Sequence, residues 1–100
     1  MASITILFWR DIPTQVVARA GRATAKAELP ARFMAAVDAA AMRAGLTGSD
    51  DYLSHWRRGD PIPCGDDLDK AVAETIAALD AAYDADRLRR LVAAGGEEVA

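Results

Sequence analysis

Two short clusters combine aromatic and basic side chains, and they are the residues of this chain best suited to recognising another molecule. The first is Phe8-Trp9-Arg10 and the second is His55-Trp56-Arg57-Arg58; together they contain both tryptophans and the only histidine. An exposed indole can stack on a base or a pterin ring, and a guanidinium can pair with a phosphate or a carboxylate. The alternative is that both indoles are buried and that the arginines lie over them as cation–π partners.

Three further basic residues could widen a binding surface. Arg19, Arg22 and Lys26 lie on or near the outer side of a predicted hairpin, where they could extend a basic strip that binds an anion or an acidic partner. Basic residues at such places also serve only to keep a sheet edge from aggregating. The predicted binding surface therefore comprises Trp9, Arg10, Arg19, Lys26, His55, Trp56, Arg57 and Arg58.

Cys64 is the single candidate for a reactive thiol. It directly precedes the predicted last helix, whose N-terminal partial positive charge favours a thiolate, while nearby Asp60, Asp66 and Asp67 oppose this effect. Histidine is a common residue for acid–base chemistry, but no carboxylate in the sequence is placed to orient His55. We predict no catalytic residue.

Composition limits the classes of protein to which the chain can belong. One hundred residues fit one domain. One cysteine and one histidine supply neither an internal disulfide nor a common four-ligand zinc site, so we expect no metal and no cofactor. No apolar run reaches the length of a membrane span, and the N-terminus lacks a signal peptide, so the expectation is a cytoplasmic protein without membrane contact.

Charge is distributed unevenly along the chain. Residues 1–48 carry six basic and three acidic side chains, a balance of +3, whereas residues 49–100 carry six basic and twelve acidic ones, a balance of -6. Such asymmetry is typical of solvated faces. An RNA-binding sheet would also show several outward aromatic residues and glycine-rich signatures, which are missing here. Nucleic acid is therefore not the expected partner.

Residue alternation and helical periodicity predict the element order β-β-β-α-β-α. The predicted strands cover residues 3–9, a hairpin within 14–29, and 52–58; the predicted helices run over 30–44 and from Asp66 or Asp67 to about Ala93. Two alternatives stay open, a helix in place of the hairpin and a short helix that begins at Ser49. The expected fold is α+β, a three- to four-stranded antiparallel sheet with two helices on one face, an ordered core over 3–93 and a frayed tail over 94–100.

Several segments together resemble a known family. They are Ile4–Pro13, Arg32-Phe33, Ala41–Leu46, Tyr52-Leu53 and Trp56-Arg57, and the chain is similar over residues 4 to about 92 to the conserved virulence factor family of bacteria. The resemblance implies a compact α+β domain, in some members fused to an iron–sulfur scaffold-like region or to helical repeats. It also implies an accessory role in one-carbon metabolism, because relatives are encoded near folate and corrinoid methyl-transfer enzymes. It supplies no catalytic residue.

The predicted function is that of a non-enzymatic accessory or protein-interaction domain whose partner is a methyl-transfer or iron–sulfur enzyme. A homodimer stays open. One alternative is a small ligand- or nucleic-acid-binding module that uses the Trp–Arg surface, and it requires exposed indoles. The other is a thiol-dependent enzyme built on Cys64 and His55, and it requires a base close to the thiol.

Overall fold

The computed structural model describes residues 2–46 and 48–98, without the side chain of Ser49. It confirms the α+β class. In chain order the elements are β1 (Ala2–Trp9), β2 (Ile12–Ala20), β3 (Ala23–Glu28), α1 (Ala31–Arg43), α2 (Ser49–Leu53), β4 (Trp56–Arg58), β5 (Ile62–Pro63), α3 (Leu68–Ala82) and α4 (Ala85–Ala93). The strands form one antiparallel sheet in the order β3-β2-β1-β4, and β5 also pairs with β1.

Two tight turns fold the first three strands into consecutive hairpins. The turn Arg10-Asp11 joins β1 to β2, and the turn Gly21-Arg22 joins β2 to β3. The first residue of each turn has positive φ, 51° at Arg10 and 59° at Gly21, which is the pattern of a type II′ turn. The hairpin predicted within residues 14–29 is confirmed, and the helical alternative for this segment is wrong.

All three long helices cover the same side of the sheet. Ile4, Val16 and Ala18 alternate along β1 and β2 and pack against Val72 of α3. A second cluster contains Phe33 and other residues of α1 together with residues of α4. Ile76 and Leu79 of α3 belong to both clusters, so the two clusters lie on the same side of the sheet. The opposite side of β1 and β2 carries no helix within the described residues. Its side chains are the odd-numbered ones, such as Thr5 and Val17.

A β-bulge breaks this alternation near the end of β1. The register of the β1–β2 ladder shifts between Leu7 and Phe8, and the Thr14 hydroxyl donates to the carbonyl oxygen of Leu7 at 3.0 Å. A bulge re-aims the side chains that follow it. Trp9, which simple alternation assigns to the same side as Thr5, accordingly lies in the helix-covered core beside Ile12.

Two predicted elements differ from the structure. The strand predicted over 52–58 is a short helix, α2, followed by the three residues of β4, so the interpretation of a helix beginning at Ser49 is the correct one. The predicted last helix is interrupted after Ala82, because the Asp84 side chain accepts a hydrogen bond from the Arg87 N–H at 2.8 Å and starts α4. Asp67 caps α3 as predicted, accepting from the Lys70 N–H at 3.1 Å.

Candidate functional site: the aromatic–basic cluster and the uncovered sheet face

Trp9 is a core residue rather than a stacking platform. Its side chain is completely buried, its indole N–H donates to the carbonyl oxygen of Tyr52 at 2.9 Å, and the Tyr52 ring stacks on it with centroids 5.7 Å apart. Trp56 is half-buried, meets the edge of Tyr52 at 6.0 Å and packs against the same cluster. Of the two alternatives, burial of the indoles is the one found, complete for Trp9 and partial for Trp56, and both tryptophans lie on the side of the sheet that the helices cover.

Arg10 makes several contacts within the protein, although its buried Nε has no hydrogen-bond partner among the described residues. It occupies the left-handed region, which costs a residue other than glycine about 1 kcal/mol or more. Its backbone N–H donates to the His55 carbonyl oxygen at 3.0 Å, and its guanidinium donates to the Gly95 carbonyl oxygen at 3.0 Å and to Nε2 of His55 at 3.3 Å. It also lies 5.5 Å from the centre of the Trp9 ring. Arg10 and His55 therefore fix the first turn.

Arg57 has a similar internal role. Its guanidinium lies 4.5 Å from the centre of the Phe8 ring, and it donates to the Arg10 carbonyl oxygen at 2.9 Å and to Asp11 Oδ1 at 3.1 Å. This pairing covers the ring and ties β4 to the β1–β2 turn. The predicted alternative of an arginine over an indole is found at Trp9, where Arg10 lies over the ring, whereas Arg57 lies over Phe8 instead of Trp56.

The C-terminal segment packs against this turn instead of fraying. Gly95 and Gly96 are buried, the Asp11 N–H donates to the Gly96 carbonyl oxygen at 2.9 Å, and the Glu98 N–H donates to Asp11 Oδ2 at 2.6 Å. The Gly96 N–H reaches Leu91 and the Gly95 N–H reaches Val92, which is a Schellman motif at the end of α4. Residues 94–98 thus differ from the expected frayed tail, and residues 99–100 lie outside the described part.

Cys64 and His55 lie in different parts of the protein. Cys64 is half-buried beside Ile4 and lines a pocket with acidic neighbours, among them Asp66, Asp67 and Glu74. His55 lines another pocket with Arg10. The two side chains that a thiol mechanism requires are not brought together, because β4 and the start of α3 sit at separate places along β1.

The remaining predicted residues lie on the open side of the sheet. A shallow pocket of about 380 Å³ is lined there by Thr5, Leu7, Gln15, Val17, Arg19, Arg58, Gly59 and Pro61. Lys26 lies directly opposite Val17 on β3. We define the uncovered sheet face as Thr5, Leu7, Gln15, Val17, Arg19, Lys26 and Arg58.

The uncovered sheet face has an apolar floor and a basic rim. Leu7 and Val17 form the floor, and Arg19, Lys26 and Arg58 are exposed around it. Among the described residues none of these three cations makes a salt bridge, in contrast to Arg10 and Arg57. The three cations were predicted from the sequence, but the neighbouring Thr5, Leu7, Gln15 and Val17 were not. They could have been found, because each alternates along its strand with residues that face the helices.

Comparison with known families gives one result that covers most of the chain. The family model described as Virulence factor matches residues 7–92, from the second half of β1 into α4. The chain belongs to the Virulence factor family. Comparisons with curated proteins and with solved structures give no match. The family resemblance predicted from the sequence is confirmed. The matched residues include Arg19, Lys26 and Arg58.

In the described part of the chain no helix combines the length and the apolar character of a membrane span.

Proposed function

We propose that this member of the Virulence factor family is a non-enzymatic protein-interaction domain that binds its partner through the uncovered sheet face. The observation that carries the proposal is that one side of the sheet has no helix over it within the described residues. An antiparallel sheet can expose one face to water, but such faces are then mostly polar. Here Leu7 and Val17 lie in the middle of the face, which is the composition of an interface centre.

Charge indicates the kind of partner. Arg19, Lys26 and Arg58 surround the apolar floor and have no acidic partner among the described residues, although the whole chain has a net charge of -3. A partner with apolar side chains ringed by Asp or Glu would match this surface. Such complementarity raises the association rate and the specificity more than the affinity itself.

The surface favours a protein over a nucleic acid. Binding of single-stranded nucleic acid relies on aromatic side chains whose faces are free to stack. Trp9 is buried, and Arg57 lies over the Phe8 ring. A small anionic ligand is the second candidate, since a pocket of about 380 Å³ falls in the size range of ligand sites and has Arg19 and Arg58 at its rim.

The proposal extends to an accessory role for a methyl-transfer or iron–sulfur enzyme. This part rests on the resemblance to the family, in which relatives are encoded near folate and corrinoid methyl-transfer enzymes. A non-catalytic role agrees with the placement of Cys64 and His55, because the thiol and the imidazole line separate pockets and do not form a catalytic pair.

Site-specific photo-crosslinking in native cells tests the contact surface. A benzophenone amino acid at Val17, on the uncovered sheet face, should capture a partner, whereas the same group at Ala73, exposed on α3, should not. Equal capture from both positions would contradict the proposal. Recovery of a methyl-transfer or iron–sulfur enzyme supports the accessory role, another protein supports only the interaction domain, and nucleic acid favours the alternative.

Charge reversal then tests the basic rim with the purified partner. Arg19→Glu and Arg58→Glu should each weaken binding by about tenfold at low salt, since each replaces an attraction by a repulsion. Lys70→Glu is the matched control, because it makes the same change of charge at an exposed position on α3. Equal affinities for all three variants, measured by calorimetry, would refute the role of the rim.

A further inference from the structure

The outer edge of β3 is open for strand pairing, and its sequence is complementary to itself. We infer that β3 pairs antiparallel with β3 of a second copy of this chain about a two-fold axis at Ala25. The two sheets would then join into one. This dimer does not rest on the proposed binding to a partner, although Lys26 belongs both to β3 and to the uncovered sheet face.

The hydrogen-bond pattern identifies the backbone groups that point outward. β2 and β3 pair in a register that places Glu28 opposite Gln15 and Ala27 opposite Val16. The same register places Leu29 opposite Thr14, and the Leu29 N–H donates to the Thr14 carbonyl oxygen at 2.9 Å. Bonded pairs alternate along an antiparallel ladder, so the odd-numbered residues of β3 bond to β2. The even-numbered residues direct their backbone groups to the edge.

Those outward groups belong to Thr24, Lys26 and Glu28. All three residues are exposed, and no tertiary backbone bond between described residues involves them. The helix α3 lies over the sheet against Ala25 and Ala27, not along the edge. An exposed edge strand of this length is a ready template for another strand.

Charge and chain direction select one register. A two-fold axis at Lys26 would place Lys26 opposite its own copy, and like charges directly opposite are destabilising. An axis at Ala27 would extend the intermolecular hydrogen-bond ladder to Leu29 and Pro30. The Leu29 N–H already donates to Thr14 of β2, and Pro30 has no N–H. An axis at Ala25 confines the pairing to β3 and the preceding turn residue, Arg22.

The register centred on Ala25 also matches the side chains. Thr24 and Lys26 would exchange their backbone hydrogen bonds with Lys26 and Thr24 of the second copy. Glu28 would lie opposite Arg22 of the second copy, and both residues are exposed and without a salt bridge among the described residues. On the helix-covered side the residues that meet are alanines, which leave the backbones free to approach.

Sedimentation velocity measures the dimer, and a charge exchange tests the pairing. The interface is small, so we expect a reversible dimer that forms between about 10 µM and about 1 mM. Arg22→Glu and Glu28→Arg should each raise the dissociation constant by about tenfold at low salt, and the double variant should restore it. A monomer throughout this range, or a double variant as weak as the single ones, would overturn the inference.

Cysteine cross-linking in a Cys64→Ser background reads the register directly. Ala25→Cys should form an intermolecular disulfide fastest, because the axis brings this residue opposite its own copy. Faster cross-linking of Lys26→Cys or Ala27→Cys would place the axis elsewhere and overturn the inference. Arg58→Glu separates the two proposals, because Arg58 lies on β4, at the opposite edge of the sheet from β3. This change should leave the dimer unchanged and weaken the partner contact.

Discussion

Replacing Gly96 by alanine tests whether the C-terminal segment is a structural part of the domain. Gly96 has a φ of 94°, and an added Cβ would lie 2.8 Å from Cζ3 and 3.2 Å from Cε3 of Trp9. The indole is completely buried, so it cannot shift without disturbing its neighbours in the core. The left-handed conformation costs alanine about 1–2 kcal/mol, and overpacking adds about 1–3 kcal/mol. The free energy of unfolding should therefore fall by about 2–5 kcal/mol if the segment stays docked.

Gly21→Ala is the matched control for this substitution. Gly21 also has positive φ, 59°, but a Cβ there would meet nothing within 4 Å, so only the conformational cost of about 1–2 kcal/mol applies. Urea unfolding followed by circular dichroism measures both variants. If Gly96→Ala is no more destabilising than Gly21→Ala and the Asp11 amide stays protected from hydrogen exchange, the contact with Trp9 is refuted.

The protein could also escape the clash by releasing the segment. The loss of stability would then be limited to the contacts of residues 95–98, and the Asp11 N–H would lose its acceptor, the Gly96 carbonyl oxygen. Amide hydrogen exchange separates the two cases, because release predicts fast exchange at Asp11 and a docked, strained segment predicts continued protection.

Three further predictions follow from burial and hydrogen bonding. In a Trp56→Phe variant the emission of Trp9 should resist acrylamide, because this indole has no exposed surface; quenching as strong as that of free tryptophan would contradict its burial. Arg32→Ala should lower the free energy of unfolding by about 1–2 kcal/mol in urea, since the guanidinium donates to the Tyr83 and Asp80 carbonyl oxygens at 2.7 and 2.9 Å; an unchanged midpoint would oppose this. Burial raises the pKa of Tyr52, and it also raises the pKa of Tyr83 although the positive charge of Arg87 acts in the opposite direction. As the pH rises, these tyrosines therefore ionise in the unfolded chain before they ionise in the folded one, and the free energy of unfolding should fall above pH 10. Absorbance at 295 nm measures tyrosine ionisation, and a normal titration curve for both residues in the folded protein would refute the raised pKa values.

Strand alternation was sufficient to predict which side of the sheet most residues occupy. Ile4 and Val16 face the helices and Val17 and Arg19 face away, because a side-chain period of two is fixed by the backbone. Trp9 could not be placed in this way. Its direction depends on a bulge, which is a property of how two strands pair and not of either strand alone.

The other differences have equally local causes. Side chains of residues 52–58 alternate between apolar and polar in a way that fits a strand. In the structure Tyr52 belongs to the helix α2 and its ring packs on Trp9. The local preferences for strand and helix are both weak here, and a tertiary contact decided between them. Asp84 was a readable signal, since aspartate at an N-cap can begin a new helix within a long periodic stretch. Gly95 and Gly96 fall in the stretch that was expected to fray, because their docking on Asp11 depends on a turn that is distant in the sequence.

The two sets of basic side chains differ in the contacts that they make within the protein, and the proposed binding surface rests on this difference. The guanidiniums of Arg10 and Arg57 lie over aromatic rings and donate to carbonyl or carboxylate oxygens of the same domain, so a ligand would have to displace contacts that hold the fold. Arg19 and Arg58 have no such contacts among the described residues, and they can pair with an incoming acid without loss of stability. Pairing of β3 edges would place two of these faces side by side in one sheet. A partner with two acidic sites at the matching spacing would then bind both copies, and its affinity would exceed that for a single domain because the second contact forms within the complex.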